Sequence, residues 1–359
     1  MEQVKPGTRP NRKKHVIWNI VFILLAVVTV WVVTTQSKGF SPRNFSQYLE
    51  SNNPWWLLAA LLSMLFYVGS NAWMIGTLLK GFGYRRSPFD CLTYTASDIY
   101  FSAITPSSTG GQPMEAWFMF QDGIPVVIST VVLLSYLLLY TLSTVLIGLA
   151  CMILMPSTFL SFGTLGRILI IVGAVIQVGL TLLYGLLLWN KKLLLKVCDW
   201  VLRTLGKLHL IRSLEDKRKK LFRTMVQYSE AALMLRGKKK ILRKALILNL
   251  AHRAAQIMVT VFCFLAGGEP LRLAPKMFAM QGNVVIGAST VPIPGAMGVT
   301  DYLMIDGFSS MMTPAESANL ELLSRAMSFY ICILLCGILV LVKLALIRFR
   351  RTKTQKSES

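Results

Sequence analysis

Apolar positions in this chain come in long runs, not in the short alternations of a soluble fold. They fill residues 16–35, 55–79, 125–155, 167–189, 241–266 and 325–347 with few interruptions. A helix needs about 20 apolar residues to cross a hydrocarbon core, and it satisfies its own backbone where water cannot. Each run therefore predicts a span. Trp18, Trp31, Trp55, Trp56 and Trp189 stand near span ends, as an interfacial belt requires. The run 125–155 is longer than needed and predicts a helix that tilts, kinks or extends beyond the bilayer. Residues 17–33 follow a basic start as a signal peptide would. No small-residue cleavage site follows Trp31, so an uncleaved first span is expected.

Polar positions then assign the sides. Basic residues before span one (Arg9, Arg12, Lys13, Lys14), after span two (Lys80, Arg85, Arg86) and from Lys191 onward predict cytoplasmic edges. With the weakly charged loop 156–166 outside, the interval 80–124 begins and ends inside. By the same reasoning 267–324 begins and ends outside. Both intervals are too apolar for loops. Each has an apolar stretch (89–105 and 277–291), a Pro/Gly break, and a second apolar stretch (114–121 and 299–312). The prediction is two re-entrant helical hairpins entering from opposite faces. The fold class is thus an all-α polytopic membrane protein, with about six full spans plus two re-entrant hairpins in an inverted-repeat arrangement. Its segments are a basic cytoplasmic N-terminus 1–15, a first membrane half 16–190 with a break at 105–114, and a basic amphipathic segment 191–240. A second membrane half 241–348 with a break at 290–299 and a basic tail 349–359 follow. The segment 191–240 reads either as interfacial helices or as a solvated cytosolic helical hairpin.

Composition agrees. The 359 residues are 54% hydrophobic and 15% charged, with mean hydropathy +0.56, where a soluble domain carries about a quarter charged residues. A net charge of +22 raises the question of nucleic acid. Most of the 38 lysines and arginines, however, cluster in the first 14 residues, in 191–244 and from Lys343 onward, all flanking spans. That is a membrane-surface pattern, and no nucleic-acid partner is expected. The six cysteines are scattered without metal or disulfide spacing, and neither cofactor nor metal is expected.

The breaks carry the candidate chemistry. The first runs Thr105-Pro106-Ser107-Ser108-Thr109-Gly110-Gly111-Gln112-Pro113-Met114-Glu115, the second Pro292-Ile293-Pro294-Gly295-Ala296-Met297-Gly298-Val299-Thr300-Asp301. Each gives proline, glycines, then an acid, a weak inverted repeat of the kind that marks a transport site. Proline stops a helix and glycine admits turns and close approach, so Pro106, Gly110, Gly111, Gln112, Pro113, Pro292, Pro294, Gly295 and Gly298 shape the break. The helix that restarts offers free N–H groups to an anion. Ionisable residues within membrane regions are costly and usually functional. Here they are Asp98, Glu115, His252, Arg253, Asp301, Asp306 and Arg325. Asp306 and Arg325 also fit the outer interface. Asp98, Glu115, Arg253 and Asp301 are the candidate lipid-headgroup contacts, with Arg253 the natural cation for a lipid phosphate, Asp98 or Asp301.

These two strings resemble the paired signatures of the flippase-like membrane domain of the lysylphosphatidylglycerol synthase (phosphatidylglycerol lysyltransferase) family, over nearly the whole chain. The resemblance implies movement of an aminoacylated phospholipid between leaflets of a bacterial plasma membrane. Full-length members also carry an acetyltransferase-like domain that transfers lysine from its tRNA. With the chain ending at Ser359 soon after the last span, that domain is expected to be absent. Asp301 stands where glutamate is expected, and Glu115 where an uncharged or basic residue is. The added acid favours a cationic headgroup. The expected function is a lipid translocase with both termini cytoplasmic. Membrane phospholipids, anionic or aminoacylated, are its partners, with a lipid-modifying synthase and a homo-oligomer left open. The alternatives are lysyl transfer to phosphatidylglycerol, alone or with a partner supplying the synthase domain, and a membrane scaffold. No nucleotide-binding loop, His-Glu-x-x-His or Gly-x-Ser-x-Gly motif is present.

Overall fold

Prolines mark where five of the described helices begin, because proline fits the first turn, where no N–H is needed. The computed structural model describes residues 50–105, 108–190, 195, 196, 200, 214–289, 296 and 298–357. The expected segment 1–15, the span 16–35, most of 191–213, and Pro106, Pro292, Pro294 and Gly295 lie outside the described residues. Helix α1 (Pro54–Gly81) starts at an Asn53 cap that accepts from Trp55 N. Helix α2 (Pro88–Ile104) starts at Ser87, which accepts from Asp90 N. There follow α3 (Gly111–Gln121), α4 (Val126–Leu154) behind Pro125, the short α5 (Pro156–Leu160), and α6 (Thr164–Trp189). The second part holds α7 (Leu214–Arg236), α8 (Lys239–Ala266), α9 (Ala274–Ala288) and α10 (Val299–Phe308). Last come α11 (Pro314–Arg325), a π-helical turn (Ala326–Tyr330) and α12 (Ile331–Ser357), which run on as one helix.

The protein is an all-α polytopic membrane protein. Among the described residues, five helices are long and apolar enough to cross a bilayer: α1, α4, α6, α8 and the continuous Pro314–Phe349. Four match the runs read from the sequence to within three residues. The fifth starts at Pro314, not at 325, because its first turns carry Glu316, Asn319 and Glu321 and do not register as apolar.

Helices α1 and α8 are antiparallel and matched along their full length. Asn53 N donates to Ala266 O at one end, and Lys238 Nζ donates to Gly81 O at the other. Between these ends Ser63 Oγ bonds Ala255 O at 2.9 Å, and Tyr67 stacks on His252 at 4.2 Å. The end holding Gly81 and Lys238 also holds Lys80, Arg85, Arg86, Lys239 and Lys240 and is here called the basic end.

Both intervals that resisted reading as loops are helical hairpins. The first, α2–α3, starts and finishes at one place: Lys343 of α12 bonds both Asp90, in the first turn of α2, and Asp122, just past α3. This is the basic end, next to the close of α1. The second, α9–α10, starts beside the far end of α8. Asn283 bonds Thr158 at 3.2 Å, and Asp306 accepts from Gly163 N at 2.9 Å, so this hairpin leans on the α4–α6 turn. The hairpins thus enter from opposite ends. Small residues seat the second one: a Cβ on Gly173 would stand 2.5 Å from Ile286 O and 2.7 Å from the Gly287 Cα. Close backbone approach of this kind is how helices pack in lipid.

Helix α7 covers the later part of the basic segment. Tyr228, Ala231, Ala232 and Leu235 are buried, and Tyr228 Oη donates to Leu187 O at 3.3 Å. Its second half is packed on the basic end of the bundle, not free in solvent.

Candidate functional site

The tip of the first hairpin is held by glycines. Thr105 Oγ1 accepts from Gly110 N at 2.9 Å, so the chain turns within five residues. Gly111, the first residue of α3, lies against α2. A Cβ there would run into Asp98 Oδ1 and Ser102 Oγ and stand 2.5 Å from Asp98 O. Glycine alone lets α3 restart beside that carboxylate. In the second tip, Gly298 has φ +82°, a left-handed conformation costly for other residues. Asp301 Oδ2 accepts from Gly298 N at 3.0 Å and caps α10.

The two tips face a shared cavity of about 440 Å³. The first hairpin contributes Asp98, Ser102, Ser108 and Gln112, the second Gln281, Ser289, Ala296 and Thr300. Helix α4 adds Tyr136 and Tyr140, α1 adds Tyr67, and α8 adds Arg253, Gln256 and Thr260. The last helix closes it with Ser324, Arg325 and, from the π turn, Ser328 and Phe329. Single π turns inside α-helices are frequent at functional sites.

Arg253 is the least compensated charge in the wall. It is 1% exposed, lies 4.0 Å over the Tyr140 ring and donates to Gln256 through Nη1. Its Nε and Nη2 have no hydrogen-bond partner among the described residues. Neither does any carboxylate among those residues lie within ion-pair distance of it. Cation–π contact offsets part of the burial, but a buried guanidinium with two open donors is poised for an anion. Asp98 shares the cavity without an ion pair among the described residues, so positive and negative groups are presented apart.

The family model described as the lysylphosphatidylglycerol synthase TM region matches residues 16–336. The chain belongs to that family. It is also similar to a UPF0104 membrane protein of Pyrococcus horikoshii, 29% identical over 129 residues, covering 35% of this chain. The aligned stretch spans 38% of that relative's length.

For this family member, the four residues read from the sequence as headgroup contacts fall in different places. Asp98 and Arg253 line the cavity. Asp301 does not line it but is in an ion pair with Arg325, which also binds Glu321 at 2.8 Å. The cation for Asp301 is thus Arg325, not Arg253. Arg325 is 9% exposed and faces the cavity, a position not legible while its helix was read as starting there. Glu115 does not line the cavity. It is 1% exposed and neither oxygen has a hydrogen-bond partner among the described residues. Of the break residues, Gln112 lines the cavity and Gly110 and Gly111 shape its rim, while Pro113 is exposed on the far side of the turn. The tyrosines 67, 136 and 140 carried no sequence signal. Lys343, read as the start of a basic membrane flank, is 2% exposed in its triad with Asp90 and Asp122.

Proposed function

We propose that this protein translocates a phospholipid between the leaflets of a bacterial plasma membrane, with its basic end cytoplasmic. The observation that carries the reading is the cavity between two opposed hairpin tips, lined by Asp98 and by an Arg253 whose buried Nε and Nη2 have no hydrogen-bond partner among the described residues. A volume of about 440 Å³ lies within the range of small-ligand pockets and suits a polar headgroup while the acyl chains stay in lipid. Arg253 takes the phosphate, and Gln112, Gln256 and the tyrosines complete its hydrogen bonding. Asp98 takes any cationic substituent, such as the amine of lysylphosphatidylglycerol. Broken backbone at membrane depth is stable only where protein or a wet cavity covers it, which fits a path for headgroups.

The test is reconstitution into liposomes with an acyl-labelled phosphatidylglycerol and a leaflet-resolved quench. Arg253→Ala removes the anion site, and Gly111→Leu drives a side chain into Asp98. Each is expected to slow translocation at least tenfold, since one charge-assisted hydrogen bond contributes about 1.5–3 kcal/mol. Unchanged translocation in both variants, with protein incorporated normally, would overturn the site.

A further inference from the structure

Among the described residues Glu115 is the one buried carboxylate that the proposed headgroup path does not use, and its surroundings give it another task. It sits one turn below Gly111 on α3, inside the first hairpin, between the cavity and the basic end. The opposing helix carries Asp90, Tyr94, Asp98 and Ser102 at four-residue intervals, which places them on one face. At the close of α3, Asp122 follows Glu115 by seven residues, two turns along the same side. Tyr94 Oη donates to Asp122 at 2.6 Å, and Asp122 and Asp90 meet at Lys343 Nζ. Ionisable and hydroxyl side chains therefore run the length of the hairpin, from an Asp90 that reaches the surface to an Asp98 that reaches the cavity.

Lys80 and Arg86 lie within electrostatic reach of Cys91, as Glu115 does. Within electrostatic reach of Glu115 are Asp98 and Cys91 on α2 and Tyr136 on α4. Around Asp98 stand Tyr67 of α1, Tyr136 of α4, and Cys336 of α12. Arg253 of α8 approaches the Tyr67 side of the cavity, and Lys343 is taken by Asp90 and Asp122. No Lys or Arg among the described residues forms an ion pair with Glu115. An unpaired carboxylate in such a setting is costly, whereas the neutral acid is tolerated. Glu115 is then a group that can hold a proton at mid-path and release it when water or charge arrives.

Building on the translocation reading, we propose that Glu115 is a proton carrier and that lipid movement is coupled to proton movement along the first hairpin. One proton leaves water at the basic end, resides on the Glu115 carboxyl, and passes by way of Asp98 to the cavity, or travels in reverse. No bond of the lipid is made or broken.

The test uses the full chain in liposomes. Infrared spectroscopy should show a protonated-carboxyl band that vanishes in Glu115→Gln. Translocation of acyl-labelled phosphatidylglycerol is then followed with and without an imposed pH gradient. In the wild-type protein the gradient should change the rate several-fold. Glu115→Gln should keep the gradient-free rate and lose the response. A wild-type rate indifferent to the gradient, a Glu115→Gln protein that still responds, or a missing carboxyl band would overturn the proposal. Should the wild-type protein move no lipid under any condition while the band is present and titrates, it is the translocation reading that fails.

Discussion

A single lysine shows how strongly tertiary placement decides a charge. Lys343 sits at the end of an apolar run, where basic residues ordinarily flank a span. Folding instead buries it between two aspartates at the feet of the first hairpin, at 2.6 Å from Asp90 Oδ1 and 2.8 Å from Asp122 Oδ2. Breaking a buried ion pair by removing one partner typically costs about 3–5 kcal/mol, because the remaining charge is left uncompensated. Lys343→Met is expected to destabilise the protein by about 3 kcal/mol, read as a lowered midpoint of thermal unfolding in detergent. Adding Asp122→Asn should recover part of that loss, since the two residues act as a unit. Additive losses in the double variant would refute the coupling. Asp98 and Arg253 could be picked out in advance because a charge in an apolar run is conspicuous by itself. Lys343, Asp90 and Asp122 could not, because each is ordinary at a membrane edge until the fold brings them together.

At the scale of elements, the hairpins were legible and the start of the last helix was not. Proline and glycine clusters, opposite entry sides and a trailing acid together announce a re-entrant turn. The polar first turns of α11 instead hide a helix whose stability comes from its cap: Thr313 and Glu316 satisfy each other's backbone N–H groups. Nothing in the composition of Ala326–Tyr330 announces a π turn either. Such a turn holds one residue more than regular helix requires, and here it pushes Ser328 and Phe329 into the cavity wall. Deleting Ser328 should restore a regular helix while keeping Arg325 and Lys343 in phase with their partners. The expected outcome is a protein that purifies and melts like the parent but translocates the labelled lipid at least tenfold more slowly. Full activity in the deletion would remove the π turn from the site.

For the whole molecule, the inverted arrangement makes a sidedness prediction independent of any substrate. Cysteines at Ser87 and Gly123, the two feet of the first hairpin, are expected to react with an impermeant thiol reagent from one side of the membrane only. Cysteines at Glu269 and Ser309, at the feet of the second, should react from the other. The native thiols at Cys91, Cys151, Cys263, Cys332 and Cys336 are buried and contribute little background, and Cys198, outside the described residues, is replaced by serine in the labelled protein. All four sites labelling from a single side would contradict the fold. The charge pattern made this arrangement readable, because loop charge and span count can be checked against each other. The shape of the cavity could not be read, because it depends on tyrosines that look like any interfacial aromatic until α1 and α4 are set beside α8.

The fastened pair α1 and α8 has a consequence for how such a molecule can move. Clasped at both extremities and threaded together by Ser63–Ala255 and Tyr67–His252 between them, these two helices cannot slip past each other without losing several bonds at once. They form a stationary mast, and Arg253 is mounted on it. In the proposed translocation, motion that opens the chamber first to one side and then to the other would fall to the hairpins and the last helix, swinging their carboxylates past a guanidinium that stays where it is.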